Sequence, residues 1–251
     1  MRPLQGDRSP VKKPQKILLA SVVCVLAVGA AAAVAGPTVY RNFFATPAVD
    51  APTLVGDPSL TDDSIDPPSD TPLDPAELAG AWTVSDGSEA GYRVDEVLNG
   101  TDVTVTGRTP EVTGSLAISE DGLTLDSAEI SVDVASISTD RDQRDAYFRD
   151  QAIHVAENPD ATFVLTTPVT ADALPNTNEV INVDAQGELT IAGVTKSVTA
   201  AIQVRSDGST TEVAGSIPIT FSDFGIQAPS LGFVKVEDSG FVEFQLVAVK
   251  G

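Results

Sequence analysis

In the run Val242-Glu243-Phe244-Gln245-Leu246 apolar and polar residues alternate with a period of two, and the same alternation recurs over most of the chain after Gly80. A two-residue period sends successive side chains to opposite faces of a strand, so each such segment has one apolar and one wet face. The pattern returns in Glu188-Leu189-Thr190-Ile191, in Val198, Ala200, Ile202 and Val204 against Thr199 and Gln203, and in Ile217, Ile219 and Phe221 against Ser216 and Thr220. Leu116 with Ile118, Leu123 with Leu125, and Ile130, Val132 and Val134 against Ser131 and Asp133 extend it. Many half-wet strands in succession predict an all-β domain, an antiparallel sheet closed around its own interior. The inward side then carries Val94, Leu116, Ile118, Ile130, Val132, Leu189, Ile191, Ile202, Ile217, Ile219, Phe221, Phe244 and Leu246.

Turn residues punctuate these strands. Asn99-Gly100 lies between apolar runs at 94–98 and 103–105, a strong hairpin signal. Glu120-Asp121-Gly122, Ser206-Asp207-Gly208 and Gly193 serve the same purpose. Asn99-Gly100-Thr101 also fits a glycosylation acceptor, but the hairpin explains these residues without it. Residues 139–150 break the alternation. Charges spaced three and four apart, with Thr139 as the cap, predict a short helix there, crossing one end of the barrel.

Residues 17–36 run for 20 residues without a charge. As a helix rising ~1.5 Å per residue they span roughly 30 Å, the thickness of a bilayer's hydrocarbon core. Arg2, Arg8, Lys12, Lys13 and Lys16 precede this segment and only Arg41 follows closely, so residues 1–16 are expected in the cytoplasm and everything after 36 outside it. The expected location is the cell membrane, single-pass and N-in. A cleavable signal peptide is the competing reading, since Ala33-Val34-Ala35 offers a cleavage site; length favours a retained anchor. Val22 and Val23 stand where lipidation at Cys24 would need small residues, so Cys24 reads as an apolar membrane residue. Residues 45–76, rich in Pro and Asp without apolar periodicity, read as a spacer, and 77–251 as one domain.

The formal net charge of −21 excludes nucleic acid as a partner and disfavours direct docking on anionic lipid. Beyond the apolar segment there is no cysteine and one histidine, His154, so neither a disulfide framework nor a thiolate metal site can be built. His154 has no Gly-x-Ser-x-Gly turn to accompany it and reads as a structural or surface residue. Arginines interrupt the acids of Asp140-Arg141-Asp142, which lacks the turn glycine and further oxygen ligands of a calcium loop. No pair of carboxylates is marked out for glycoside chemistry. A protein that is not an enzyme, with no metal and no cofactor, is expected.

Four segments together resemble a known family. VASISTDRDQRDAYFRD at 134–150, NPDATF at 158–163, GELTIAGVTK at 187–196 and FSDFGI at 221–226 are similar, in order and spacing, to the YceI-like lipid-binding proteins. The resemblance covers about 80–250, while the anchor and the tether look like an actinobacterial arrangement. It implies a lipocalin-like antiparallel barrel of about eight strands, with an apolar lumen that holds an isoprenoid chain, either a quinone or a polyprenyl phosphate, or another long-chain lipid. It also implies a homodimer. Trp82, Tyr92, Val94, Ile130, Val132, Phe163, Leu189, Ile191, Ile217, Ile219, Phe221, Phe244 and Leu246 would line the lumen, with core packing the competing reading for the three aromatics Trp82, Tyr92 and Phe163. Two departures disfavour an anionic head group: Gly87-Ser88-Glu89-Ala90-Gly91 stands where family members carry a His-Ser pair, and Ser222 stands where a basic residue is common. Arg93, Arg141, Arg144 and Lys196 are left as polar contacts or surface ion-pair partners. The alternative is a cell-envelope interaction module whose barrel is filled by side chains, against which the prevalence of Val, Ala, Thr and Gly argues.

Overall fold

The alternating segments form strands, as their period requires. The computed structural model describes residues 48–54 and 68–251. The apolar segment 17–36 lies outside the described residues, and no helix among those described is long and apolar enough to cross a membrane. The strands are β1 (Gly80–Val84), β2 (Glu89–Leu98), β3 (Thr101–Thr109), β4 (Val112–Ile118), β5 (Thr124–Asp133), β6 (Asp160–Leu165), β7 (Val169–Thr170), β8 (Ile181–Ile191), β9 (Val194–Ser206), β10 (Thr210–Thr220), β11 (Ser230–Leu231) and β12 (Val234–Lys250).

Eight of them close into an antiparallel barrel in the order β1-β4-β5-β6-β8-β9-β10-β12. The ring is completed where Trp82, Thr83 and Val84 pair with Lys250, Val249 and Ala248. Strand β12 is long enough to hold two partners on one edge, β1 at its C-terminal end and β2 from Val234 to Gln245. Strands β1 and β2 thus follow each other along one wall, and β3 and β4 do the same beside them. The hairpin signals are obeyed. Asn99 and Gly100 both have positive φ, 51° and 77°, as do Ala192 and Gly193 between β8 and β9, at 50° and 75°. Such left-handed pairs match the twist of the flanking strands.

The β9–β10 turn is organised by a carboxylate. Asp207 accepts from Ser209 N at 2.8 Å, Thr210 N at 2.7 Å and Ser209 Oγ at 2.8 Å. Partial desolvation alone would raise its pKa, but these donors outweigh it and hold the carboxyl below its ordinary value. A depressed carboxylate stabilises the fold above its unfolded-state pKa, ~3.9, and that contribution is lost as pH falls through the folded-state value. Urea titrations of wild type and Asp207→Asn should therefore show a stability gap at neutral pH that closes in acid; a gap that stays constant with pH would remove this account.

Two short helices accompany the strands: α1 (Pro75–Leu78) and α2 (Asp142–Tyr147), the latter running into a π-helical turn (Phe148–Ile153). The helix expected over 139–150 is present, but Thr139 is not its cap; Arg141 holds that position. Asp145 is buried and needs donors, so the Thr139 N–H and hydroxyl both turn to its Oδ1, at 2.9 and 2.7 Å. Strand β10 ends at Thr220, one residue before the alternation suggested, and Phe221 opens a 3₁₀ turn (Phe221–Phe224). Asp238, beside the bulge between β12 and β2, accepts from Ser222 N at 3.1 Å and from its hydroxyl at 2.6 Å, fixing this turn.

Part of the tether packs on the barrel, and one polar strand position differs from expectation. Residues 48–54 lie on the barrel rather than free of it: Arg93 donates to the Val49 carbonyl at 2.5 Å, and Thr53 Oγ1 and Leu54 N both donate to Gln203 Oε1 at 2.8 Å. Leu54 is buried in the process. Further on, Ser69 N bonds the Thr177 carbonyl and Leu73 N that of Pro175, leading into α1. Glu243, expected on a wet face, is only 2% exposed, because Arg93 and Arg108 close over it.

Candidate functional site

The barrel interior contains two chambers. The outer one, of about 440 Å³, lies under α2, the π-turn and residues 226–236. Phe233 on its wall is 60% exposed, so this chamber opens to solvent. The inner one, of about 220 Å³, extends toward α1. Its wall there includes the buried Leu78, whose carbonyl accepts from Trp82 Nε1 at 2.7 Å. Ala90, Val132, Ala161, Ile191 and Val242 line both chambers, which therefore adjoin within the barrel.

Tyr92, Val94, Ile219 and Phe221 stand on the outer chamber, and Ile130, Phe163, Leu189, Ile217, Phe244 and Leu246 on the inner one; Val132 and Ile191 face both. Leu116, Ile118 and Ile202 also line the inner chamber. Trp82 is on neither wall: at 1% exposure it packs behind Leu78 as core. The outer wall also includes Phe148, Ile153, Ile226 and Val236, which the strand pattern did not nominate because three of them lie outside strands or, like Val236, beside a bulge. Phe148 carried the only local signal, an aromatic beside Tyr147 on the predicted helix.

Polar groups gather at the outer chamber. Glu96, on the same face of β2 as Tyr92 and Val94, is 6% exposed and accepts from Arg144 Nη2 at 3.0 Å. Arg144 also pairs with Asp140 one turn back. Burial alone would lower the Arg144 pKa, but Glu96 and Asp140 raise it above its ordinary value, so the guanidinium stays charged. Arg141 and Gln143 share this wall. Burial, only partly countered by Arg144, pushes the Tyr92 phenol up, so it stays neutral; its ring stacks on Phe148 with centroids 5.1 Å apart. Arg93 faces away, to Glu243 and Val49, and Lys196 is exposed on β9; neither is on a chamber wall.

His154 is an exposed turn residue with φ 56°, whose carbonyl accepts from Glu157 N at 2.9 Å and Asn158 N at 3.1 Å. Among the described residues no group of three or more His, Cys, Asp or Glu is placed to hold a metal ion. Chemically, the lumen offers mainly apolar surface, with Glu96, Arg141, Gln143 and Arg144 on the outer chamber and Glu179, Arg205, Ser206 and Thr211 on the inner one.

A closed antiparallel barrel with an apolar interior and a polar rim defines a class of binding folds related to the lipocalins. The YceI-like domain model matches residues 82–248, and the chain belongs to that family. A UPF0312 protein of Pseudomonas paraeruginosa is 29% identical over 128 residues, 48% of this chain and 63% of the relative. The match to a UPF0312 protein of Pseudomonas aeruginosa has the same identity and extent, so the chain spans 63% of the length of these curated relatives. Among solved structures, a polyisoprenoid binding domain from Saccharophagus degradans implicated in plant cell wall breakdown aligns with TM-score 0.54 and 20% identity, covering 68% of this chain and 99% of that domain. Burkholderia cenocepacia BcnA aligns with TM-score 0.48 and 22% identity, covering 62% of this chain and 95% of the other.

Proposed function

We propose that this protein binds or carries an isoprenoid or other long-chain lipid in its barrel, outside the cytoplasm, tethered to the cell membrane by residues 17–36. The observation that carries the reading is the lumen: a chamber of about 440 Å³ adjoining one of about 220 Å³, both with mainly hydrocarbon walls. Such volumes fall in the range of small-molecule sites, ~300–1,000 Å³. Each Å² of apolar tail taken from water contributes ~25 cal/mol, so a mainly apolar lumen holds a prenyl chain without bond chemistry. The name of the Saccharophagus degradans neighbour supports the same ligand class. A barrel filled by side chains, the alternative, would not leave chambers of this size.

The head group is best read as uncharged. Arg144 is already neutralised by Glu96 and Asp140, so a pyrophosphate would meet a buried carboxylate beside its cation, whereas a quinone carbonyl needs only a donor. A homodimer, implied by the family resemblance, belongs to the same proposal.

Native mass spectrometry with organic extraction tests it on the full chain purified from an exporting host. Wild type should carry a stoichiometric apolar adduct of several hundred daltons. Phe244→Glu places a charge against the tail, and a penalty above ~1.4 kcal/mol lowers retention more than tenfold. Circular dichroism checks that the variant is folded. A wild type that stays ligand-free after incubation with quinones and polyprenyl lipids, or a folded Phe244→Glu that retains lipid unchanged, would overturn the reading.

A further inference from the structure

The two chambers meet at a narrow set of side chains, and its composition is specific. Ala90 on β2 and Val242 on the adjacent strand β12 form one side; Val132 on β5, Ala161 on β6 and Ile191 on β8 form the other. In the ring β12 is separated from β8 by β9 and β10 and from β5 by β1 and β4, and β2 lies beside β12, so the two groups stand on opposite walls of the lumen. One alanine stands on each side. We infer that Ala90 and Ala161 form a waist that selects ligands by tail length: long prenyl tails are accepted because these two side chains stop at Cβ. The inference rests on the lumen being the lipid site.

Dimensions support a ruler. From Leu98 at the outer end of β2 to Ala90 at the waist is about 26 Å along the strand, at ~3.3 Å per residue. A short tail ends within that distance and never meets the waist. A longer one continues into the inner chamber, which runs beside β8 from Ile191 to Ile181, about 33 Å by the same rise. Most of that chamber's wall is hydrocarbon, including the buried Leu78, so what it chiefly offers is burial of more tail. The affinity gained per isoprene unit beyond the waist therefore depends on passage between Ala90 and Ala161. Interiors packed at crystal-like density do not yield to an added ring, so a larger side chain there obstructs the passage into the inner chamber.

The experiment offers the full-length protein a mixture of isoprenoid quinones of graded tail length and reads the bound homologues by native mass spectrometry. Wild type should retain the long-tailed members preferentially. Ala161→Phe should lower retention of the longest relative to the shortest by at least tenfold. Ala90→Val, a smaller change on the opposite side, should move the distribution the same way to a lesser extent, and decides the matter if Ala161→Phe does not fold. Unchanged distributions in the folded variants would overturn the ruler while leaving quinone binding in place. If wild type takes up no quinone of any length, the lumen reading falls and the waist with it.

Discussion

Gly91→Ala is expected to yield little or no folded protein. A Cβ built at this position falls 1.8 Å from the Gly107 carbonyl oxygen, 2.8 Å from its carbon and 3.0 Å from Arg108 Cα. All three atoms are backbone, so no rotamer change can relieve the overlap; β2 and β3 would have to part. β2 is not free to move, because it is registered against β12 on its other edge, with Gly91 opposite Glu243. The requirement is one of space, since Gly91 is not among the residues of positive φ. Overpacking of a core commonly costs ~1–3 kcal/mol, and a backbone collision on this scale lies at or beyond the upper end. Gly107→Ala is the informative comparison. Its Cβ would meet the Tyr92 ring at 2.6 Å and Ile137 at 2.9 Å, both side chains that can shift, so a smaller loss is expected, together with disturbed stacking of Tyr92 on Phe148. Soluble yield and thermal unfolding read both variants; a Gly91→Ala protein melting at the wild-type temperature would show that β2 and β3 do not approach this closely.

The second large effect is expected from Glu243→Gln. The carboxylate is 2% exposed, receives Arg93 Nε at 2.6 Å and pairs with Arg108, whose side chains are 18% and 12% exposed. Replacing it with an amide of the same shape keeps the packing but removes the carboxylate that Arg93 and Arg108 share, leaving Arg108 only Glu89, at 3.9 Å. Breaking a buried pair in this way costs about 3–5 kcal/mol. Arg93 also holds the Val49 carbonyl, so loosening it should release residues 48–54 from the barrel and raise their hydrogen exchange. Glu237→Gln is the control: Glu237 and Lys235 are 3.3 Å apart, but 47% and 64% exposed, and solvent leaves such a pair worth less than ~1 kcal/mol. Denaturant melts that gave both glutamine variants the same midpoint would refute the buried-network account.

How far the sequence carries differs by element. Leu189, Ile191, Ile217 and Phe244 were readable as inward because strand alternation is a local property, set by the direction of successive side chains. The turns at Asn99-Gly100 and Gly193 were readable because left-handed backbone has few hosts. Trp82 alternates like the others, yet alternation does not say how far along the axis a residue sits, and its place behind Leu78 depends on where α1 sits. Residues 48–54 carry no periodicity, and their attachment through Gln203 and Arg93 pairs groups about 150 and 44 positions apart.

What the sequence determined by itself is therefore the architecture and one face of every strand: an all-β chain, its hairpins and the apolar inner surface of a barrel. Tertiary structure alone decided that Glu243 is a buried charge rather than a wet one, that Glu96 and Arg144 meet at the outer chamber, and that Ala90 and Ala161 face each other at the waist. The physical reason is that alternation records the direction of a side chain, whereas burial, ion pairing and the width of a lumen depend on what the far wall places opposite it.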